Sequence, residues 1–241
     1  MSRALLVALA LALALTGCET SAEKSAKLEK EALASNKHAS TQGLQITRPS
    51  NQVKILASTL VHDSEGSAAV VELRNETAQA LQAIPIAIEA RDNHGASVYS
   101  NTAAGVGRSL VSVPYLAPHG QLYWVDDQVQ GNGTPVSLSV RVGQASAYSG
   151  PAPAVSVTGV RSFEDPANGA GAEGSVRNGS AVPQRELVVF AVALSGARVL
   201  AAGRAVVPEL GASASMRFQA YLVGEPAGAR LQVSAPPSTL P

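Results

Sequence analysis

Histidine and aspartate side chains in the first half of the chain are the residues whose chemistry could support metal binding or catalysis. The sequence has four histidines, all in that half. A zinc site needs two or three histidines that converge with carboxylates, and a hydrolytic site needs a base beside a nucleophile. One interpretation is therefore a small metal-binding or hydrolytic protein that uses His38, His62, His94, His119, Asp63, Asp92, Asp126 and Asp127.

The sequence around these residues favours a structural role for them. His62-Asp63 and Asp92-Asn93-His94 lie between apolar runs, where polar turn residues are expected. The chain has no Gly-x-Ser-x-Gly nucleophile elbow, and its second half has no histidine. We predict no catalytic residue, no cofactor and no metal ligand, and we keep the metal-binding or hydrolytic protein as the alternative.

Cys18 is the only cysteine, which excludes an intramolecular disulfide and a multi-cysteine metal site. It follows Arg3 and an apolar run over residues 4–15. That run is shorter than the ~20 residues of a membrane-spanning helix, and it has the length of a signal-peptide core. We therefore predict a signal peptide over residues 1–17.

The end of this segment, Leu15-Thr16-Gly17-Cys18, is similar to the bacterial lipobox at all four positions. The resemblance implies that the Cys18 sulfur carries a diacylglycerol and that the chain is cut before Cys18. Two or three acyl chains suffice for stable membrane anchoring. We expect a lipoprotein held on a membrane of the cell envelope and facing the periplasm or the cell exterior.

A tether is predicted over residues 18–50. Its first part is rich in Glu, Lys, Ala and Ser, and Glu23, Lys27 and Glu31 are spaced as i, i+4 pairs. Such pairs stabilise an exposed helix by a few tenths of a kcal/mol each. Leu28 and Leu33 are too few to form an apolar face, so the tether is expected to be a short helical or disordered spacer.

From about Asn51 the sequence changes to short runs of alternating apolar and polar residues between Gly, Pro, Asn and Asp clusters, which is typical of β-strands. The two halves also repeat. Residues 71–77 are echoed by 174–180, and an apolar strand follows at Ile84 and at Leu187. We predict an all-β protein with two tandem immunoglobulin-like β-sandwich domains, at 51–145 and 155–241, joined by a linker at 146–154.

Each repeat contains an Arg-Asn-polar-Ser/Thr step, at Asn75 and at Asn178. Asn tolerates turn geometry, and its amide can bond nearby backbone groups. The same residues match the N-glycosylation sequon, but a bacterial lipoprotein signal precedes them. We therefore interpret both as turns that end a strand.

The order of these elements resembles the FxLYD-type domain, a small immunoglobulin-like sandwich common in bacterial envelope proteins. Its motif maps onto Ile88-Glu89-Ala90-Arg91-Asp92 followed by Gly95, and onto residues 191–195 followed by Gly196. The resemblance covers residues 53–142 and 155–233. It implies the sandwich fold, and it implies no catalytic residue, because the family has no general enzymatic activity.

Tyr115, Tyr123 and Trp124 form a local concentration of aromatic residues. Trp124 follows Leu116 at the same spacing as Phe218 follows Leu210, and a large apolar residue in both repeats predicts a core position. Aromatic side chains also grip sugars and protein partners. Tyr115 and Tyr123 are therefore our candidate partner contacts.

Eighteen basic and eighteen acidic residues give a net charge of zero, which argues against a nucleic-acid partner. We expect a non-enzymatic, lipid-anchored envelope protein that presents two sandwich modules. Its expected partners are the membrane, through Cys18, and an envelope protein or polymer.

Overall fold

The computed structural model describes Lys27 and residues 43–64, 66–131 and 133–241. Within residues 43–241 the described chain is built from strands, with one short 3-10 turn at Arg108–Leu110. The predicted all-β class with two sandwiches is confirmed. The predicted signal peptide, Cys18 and most of the tether lie outside the described residues. In the part that is described, no helix is long and apolar enough to cross a membrane.

Repeat 1 contains eight strands that form two antiparallel sheets. One sheet has the order β1-β2-β6, and in the other β3 pairs with β4, β5, β7 and β8. The strands are β1 (Val53–His62), β2 (Ser67–Asn75), β3 (Ala80–Arg91), β4 (Ser97–Ser100), β5 (Ser112–Leu116), β6 (Gln121–Asp126), β7 (Ser137–Val142) and β8 (Ser146–Tyr148).

Repeat 2 contains seven strands in the same arrangement. Its sheets have the orders β13-β10-β9 and β14-β12-β11-β15. The strands are β9 (Val155–Asp165), β10 (Gly169–Asn178), β11 (Gln184–Ser195), β12 (Arg198–Leu210), β13 (Ser215–Tyr221), β14 (Val223–Gly224) and β15 (Arg230–Ser234).

The core of each sandwich comes from alternate residues of facing sheets, as the period-two pattern requires. In repeat 1, Trp124 is fully buried and stands opposite Val71 on the neighbouring strand. In repeat 2, Phe218 is buried and stands opposite Gly174 at the corresponding position. Gly174 leaves room for the Phe218 ring, because a Cβ at Gly174 would lie 3.0 Å from that ring. The predicted core placement of Trp124 is confirmed.

The two sandwiches share a continuous hydrophobic core at their junction. Strand β11 is buried on both faces. Leu187 and Val189 point into the core of repeat 2, whereas Val188, Phe190 and Val192 belong to the cluster of buried side chains that fills repeat 1. The run of consecutive apolar residues in β11 reflects this double burial, since a strand with one face in solvent would alternate apolar and polar residues.

Residues close to the predicted linker and tether belong to repeat 1. Ser146–Tyr148, placed in the linker by the sequence, form strand β8 and pair with the start of β3. The chain between the repeats that lies outside strands is therefore residues 149–154. Ser50 donates its backbone N–H to Val142, and Pro49 bridges Gly143, so the end of the predicted tether also lies against repeat 1.

Candidate functional site

The first predicted pair, His62-Asp63, lies at the end of β1, where the aspartate connects the two repeats. Asp63 accepts hydrogen bonds from the backbone N–H of Gly66 at 3.0 Å and of Gly224 at 2.6 Å. Gly224 belongs to β14 of repeat 2. Both carboxylate oxygens of Asp63 therefore have structural partners.

The second predicted group, Asp92-Asn93-His94, forms the turn between β3 and β4. Asp92 Oδ1 accepts the backbone N–H of His94 at 2.8 Å and of Ala96 at 2.9 Å. His119 lies in a separate turn, at a positive φ of 53°, and its backbone N–H bonds Thr77. Among the described residues no three His, Cys, Asp or Glu side chains are grouped so that they could hold a metal ion, and His38 lies outside those residues.

Asp126 and Asp127 lie side by side at the end of β6, but their side chains have different environments. Asp126 is fully buried and accepts hydrogen bonds from the Tyr99 hydroxyl at 2.7 Å and from the Gln128 backbone N–H at 3.0 Å. Burial raises the pKa of Asp126 to about 6, against the opposing effects of the Arg204 charge and the Tyr99 hydrogen bond. Burial, together with the charge of Asp126, also raises the pKa of Tyr99.

Asp127 forms a buried ion pair with Arg204 of repeat 2. The Arg204 Nε donates to Asp127 Oδ1 at 2.9 Å, and its backbone N–H donates to Asp127 Oδ2 at 3.1 Å. Both side chains are only 1% exposed. A further Arg204 nitrogen donates to the Ser109 hydroxyl at 2.9 Å. We call Tyr99, Ser109, Asp126, Asp127 and Arg204 the junction centre. These residues join the two repeats, and their polar side chains have hydrogen-bond partners.

The sequence did not reveal the junction centre. Its members come from four separate parts of the chain, and the paired charges lie 77 residues apart. One signal was present, since Arg204 interrupts the run of small apolar residues in β12. An arginine in such a strand needs a buried partner.

The two sequon-like asparagines form the same buried clamp in each repeat. Asn75 Nδ2 donates to the carbonyls of Gln79 and Ala117, and Asn178 Nδ2 donates to those of Val182 and Gly211. Both asparagines are 0% exposed, so neither amide is open to a glycosyl group. They end β2 and β10, which agrees with their interpretation as strand-ending turns.

Tyr115 and Tyr123 lie on different sheets of repeat 1 and do not form a joint platform. Tyr115, on β5, is half-buried and makes an edge-to-face contact with Tyr148 at a ring-centroid distance of 6.2 Å. Tyr123, on β6, is half-buried beside Glu72. Burial, and then the Glu72 carboxylate, raise the pKa of the Tyr123 hydroxyl. Their assignment as partner contacts remains a prediction.

Repeat 2 carries an open groove of about 700 Å³, which we call the outer groove. Strand β12 contributes Ala205 to Pro208, and strand β13 contributes Met216 to Gln219. Met216 is 43% exposed, and Val160, which lies between two lining residues, is 36% exposed. The charged lining includes Arg217 and the pair of Arg161 Nε with Glu173 Oε1, 2.6 Å apart.

Two of the strands that line the outer groove, β12 and β13, have an edge without a paired strand in the described chain, and β9 and β10 contribute the rest of the lining. Strand β13 pairs with β10 on its other side, and β12 pairs with β11 and, at Ala201 and Ala202 alone, with β14. Free strand edges present backbone N–H and C=O groups that an added strand can satisfy. The groove therefore combines main-chain hydrogen-bonding capacity with exposed apolar side chains.

No protein-family model matches the chain, and no curated protein matches it. Similar solved structures include the exo-chitosanase CsxA of Amycolatopsis orientalis, at 14% sequence identity over 74% of this chain and 25% of that chain, with a TM-score of 0.27. Another is red sea bream transglutaminase, at 16% identity over 78% of this chain and 29% of that chain, with a TM-score of 0.22.

The chain thus spans little more than a quarter of the length of these enzymes. At this level of similarity they assign no activity to it. What is established is the fold, an all-β chain of two packed sandwiches.

Proposed function

We propose that this protein is a non-enzymatic, lipid-anchored cell-envelope protein whose second sandwich docks an extended segment of another envelope protein. The observation that carries the proposal is the outer groove. It lies in the repeat further along the chain from Cys18, and exposed Met216 lies at its wall.

The lipid anchor rests on Leu15-Thr16-Gly17-Cys18 and on the apolar run before it. The resemblance of both repeats to FxLYD-type domains agrees with an envelope location. Metabolic labelling with a fatty acid tests the anchor, since a Cys18→Ala variant should lose the label and leave the membrane fraction. Label retained by that variant would contradict lipidation at Cys18.

A non-enzymatic role agrees with how the aspartates of repeat 1 are used. Asp63 and Asp92 accept backbone hydrogen bonds, and Asp127 is occupied by Arg204. An acid or base needs an accessible oxygen within reach of a substrate proton. These carboxylates are committed to turns and to the junction between the repeats.

An extended protein segment fits the outer groove because two of the strands that line it, β12 and β13, have free edges. Addition of a strand supplies main-chain hydrogen bonds, and pockets for alternate side chains supply specificity. Met216 offers an apolar contact, and Arg217 offers a charge for an acidic flank of the segment.

Site-specific photocrosslinking tests this docking in the intact envelope. A photoreactive residue at position 216 should give a discrete crosslinked partner, and the partner peptide should be a contiguous segment when it is sequenced by mass spectrometry. Amide hydrogen exchange should slow along β12 and β13 when that peptide is added, because the free edges become paired.

Charge substitutions provide the matched control. Met216→Glu should abolish the crosslink formed from a probe at position 219, whereas Val136→Glu should not, although Val136 is 59% exposed and equally apolar. An unchanged crosslink in Met216→Glu, or exchange protection outside β12 and β13, would contradict docking in the outer groove.

A further inference from the structure

A second cavity, of about 370 Å³, lies where the two repeats meet, and we call it the junction cavity. Equivalent parts of both repeats line it. Gln82 and Ala83 come from β3, and Arg185 and Glu186 come from the corresponding start of β11. Its volume is within the range of small-molecule sites, which are common between domains. The remaining walls come from Arg108, Ser109, Ser112, Pro114, Val188 and the segment Ser238, Thr239 and Leu240.

Glu186 has a buried oxygen that lacks a hydrogen-bond partner. Its Oε1 is the only buried side-chain oxygen or nitrogen of the described residues in this condition. Buried carboxylate oxygens are nearly always satisfied, so Oε1 is an exception in this fold. A water-sized molecule does not reach Oε1, so a ligand in the junction cavity would meet the Glu186 carboxylate at its other oxygen, for which no hydrogen bond is found in the described chain either.

Repeat 1 shows that the fold does not require this carboxylate. Glu186 has a positive φ of 48°, and Ala83 has the same backbone conformation at 50°. Neither residue is paired with the neighbouring strand. Pro208 lies opposite Glu186, and Pro114 lies opposite Ala83. Since alanine adopts the same backbone conformation at the equivalent position, this conformation does not require the acidic side chain of Glu186.

Two arginines at the same cavity have no side-chain partner among the described residues. Arg108 belongs to the 3-10 turn of repeat 1, and Arg185 lies beside Glu186; both are exposed. Guanidinium groups bind carboxylates through paired N–H donors. The cavity therefore offers two cationic groups and one anionic oxygen to the same occupant.

The wall formed by residues 238–240 is held by Gln184, which is fully buried. Its Oε1 accepts the backbone N–H of Ser238 at 2.9 Å and of Thr239 at 3.1 Å, and its Nε2 donates to the Thr239 carbonyl. The segment that lines the cavity is thereby fixed by side-chain hydrogen bonds to β11. A site with a fixed wall loses less entropy when it binds a ligand.

We propose that the junction cavity binds a small zwitterion of the amino-acid or short-peptide class, with its ammonium on Glu186 and its carboxylate on Arg108 and Arg185. This complementarity uses every unpaired charge that lines the cavity. The site is separate from the outer groove, so the failure of one proposal would not affect the other.

Calorimetric titration of the full-length protein in detergent tests the site with glycine, Ala-Ala and Ala-Ala-Ala as probes. At least one of them should bind. N-acetylation or C-terminal amidation of that peptide, or esterification in the case of glycine, should each weaken binding by about tenfold or more, because each removes one charge-assisted hydrogen bond.

Single substitutions locate the site. Glu186→Gln, which keeps the shape of the side chain, and Arg185→Gln should each weaken the same probe by about tenfold or more. Arg141→Gln removes an exposed arginine of β7 outside the cavity and should leave affinity unchanged. Unchanged circular dichroism spectra and melting temperatures separate loss of binding from loss of folding.

Three results would overturn the proposal. The first is that none of the three probes binds. The second is that the N-blocked and C-blocked probes bind as tightly as the zwitterion. The third is that Glu186→Gln and Arg185→Gln bind as well as Arg141→Gln.

Discussion

At the scale of single residues, the junction centre gives two adjacent carboxylates different environments. Asp127 has a full ion pair with Arg204, whereas Asp126 is buried with a phenol and a backbone N–H as its donors. A buried charge without a full counter-ion is disfavoured, so the pKa of Asp126 rises while Asp127 stays paired. A fall in stability as the pH rises through about 6 should therefore originate at Asp126.

The first prediction concerns Asp126→Asn. The pKa of Asp126 is about 6 in the fold against an ordinary value of 3.8, so the folded protein keeps a proton that the unfolded chain releases between these values. The contribution of this carboxyl to the free energy of unfolding is full below about pH 4 and falls, by at most about 3 kcal/mol, as the pH rises through 6. Asparagine does not titrate, so the Asp126→Asn variant lacks this decrease in the free energy of unfolding.

Urea unfolding of the parent and Asp126→Asn proteins across this pH range measures the difference. The stability of the variant relative to the parent should increase from about pH 4 to pH 7. Glu164→Gln removes an exposed carboxylate and controls for the loss of one negative charge. Parallel pH curves for Asp126→Asn and its parent would show that Asp126 does not titrate in this window.

The second prediction concerns the ion pair itself. Asp127→Asn or Arg204→Gln should each destabilise the protein by about 3–5 kcal/mol, because one buried charge is left without its partner. The double variant should lose clearly less free energy of unfolding than the sum of the two single losses. A double-mutant cycle from urea unfolding measures this coupling. Additive losses would mean that the two side chains do not stabilise each other.

At the scale of elements, the asparagine clamp explains why both repeats keep the same turn. In repeat 2, Asn178 Oδ1 accepts the backbone N–H and the hydroxyl of Ser180, while its amide donates across to the loop after β12. One side chain therefore ties the end of β10 to the end of β12, which lies in the other sheet. The clamp holds the two sheets of each sandwich together at one corner.

The third prediction tests the donor side of the clamp. Asn178→Ala should destabilise the protein by roughly 2–4 kcal/mol, since it leaves buried carbonyls without donors. Asn178→Asp keeps the acceptor for Ser180 but places a carboxylate against carbonyl oxygens, so it should cost at least as much at neutral pH. Ser180→Ala should cost only about 1 kcal/mol. Thermal and urea unfolding rank the three, and an equal cost for Ser180→Ala would contradict the clamp.

Local elements were predictable from the sequence because they depend on local patterns. The alternation in β3, the strand-ending Asn75 and Asn178, and the core position of Trp124 follow from period and from repetition between the halves. The junction centre and the junction cavity were not predictable, because they depend on how one sandwich faces the other. A local sequence pattern does not show which surface side chains of one sandwich become buried against the other.

At the scale of the whole molecule, the two repeats differ most where they touch. Ala87, Glu89 and Arg91 occupy the outer face of β3, and the corresponding face of β11 carries Phe190, Val192 and Leu194. The other sheet of each repeat differs in the other sense. Val70 pairs with Val125 on the buried outer face of repeat 1, where repeat 2 has the polar pair Glu173 and Gln219.

These differences distinguish the junction from the outward faces. The apolar faces of β2, β6 and β11 meet at the junction, and the outward faces carry charged and polar side chains such as Glu89, Arg91, Glu173 and Gln219. Terminal units of a repeat array need a polar outer face, and each repeat here caps one side. The shared core also implies that the two repeats unfold together.

The final prediction exchanges the apolar face of β11 for its repeat 1 counterpart. The triple variant Phe190→Ala, Val192→Glu, Leu194→Arg places the residues of positions 87, 89 and 91 on β11 and so removes the apolar contact with repeat 1. The parent should unfold in a single calorimetric transition, because its core is continuous across the junction. The triple variant should show two transitions, since the core of repeat 2 formed by Leu187, Val189 and Phe218 is untouched. A control triple variant on the outer sheet, with alanine at Arg161, Glu173 and Gln219, should keep one transition. Two transitions in the parent would show that the sandwiches unfold independently despite their shared core. A single transition of the β11 variant at an unchanged temperature would show that the apolar face of β11 does not couple them.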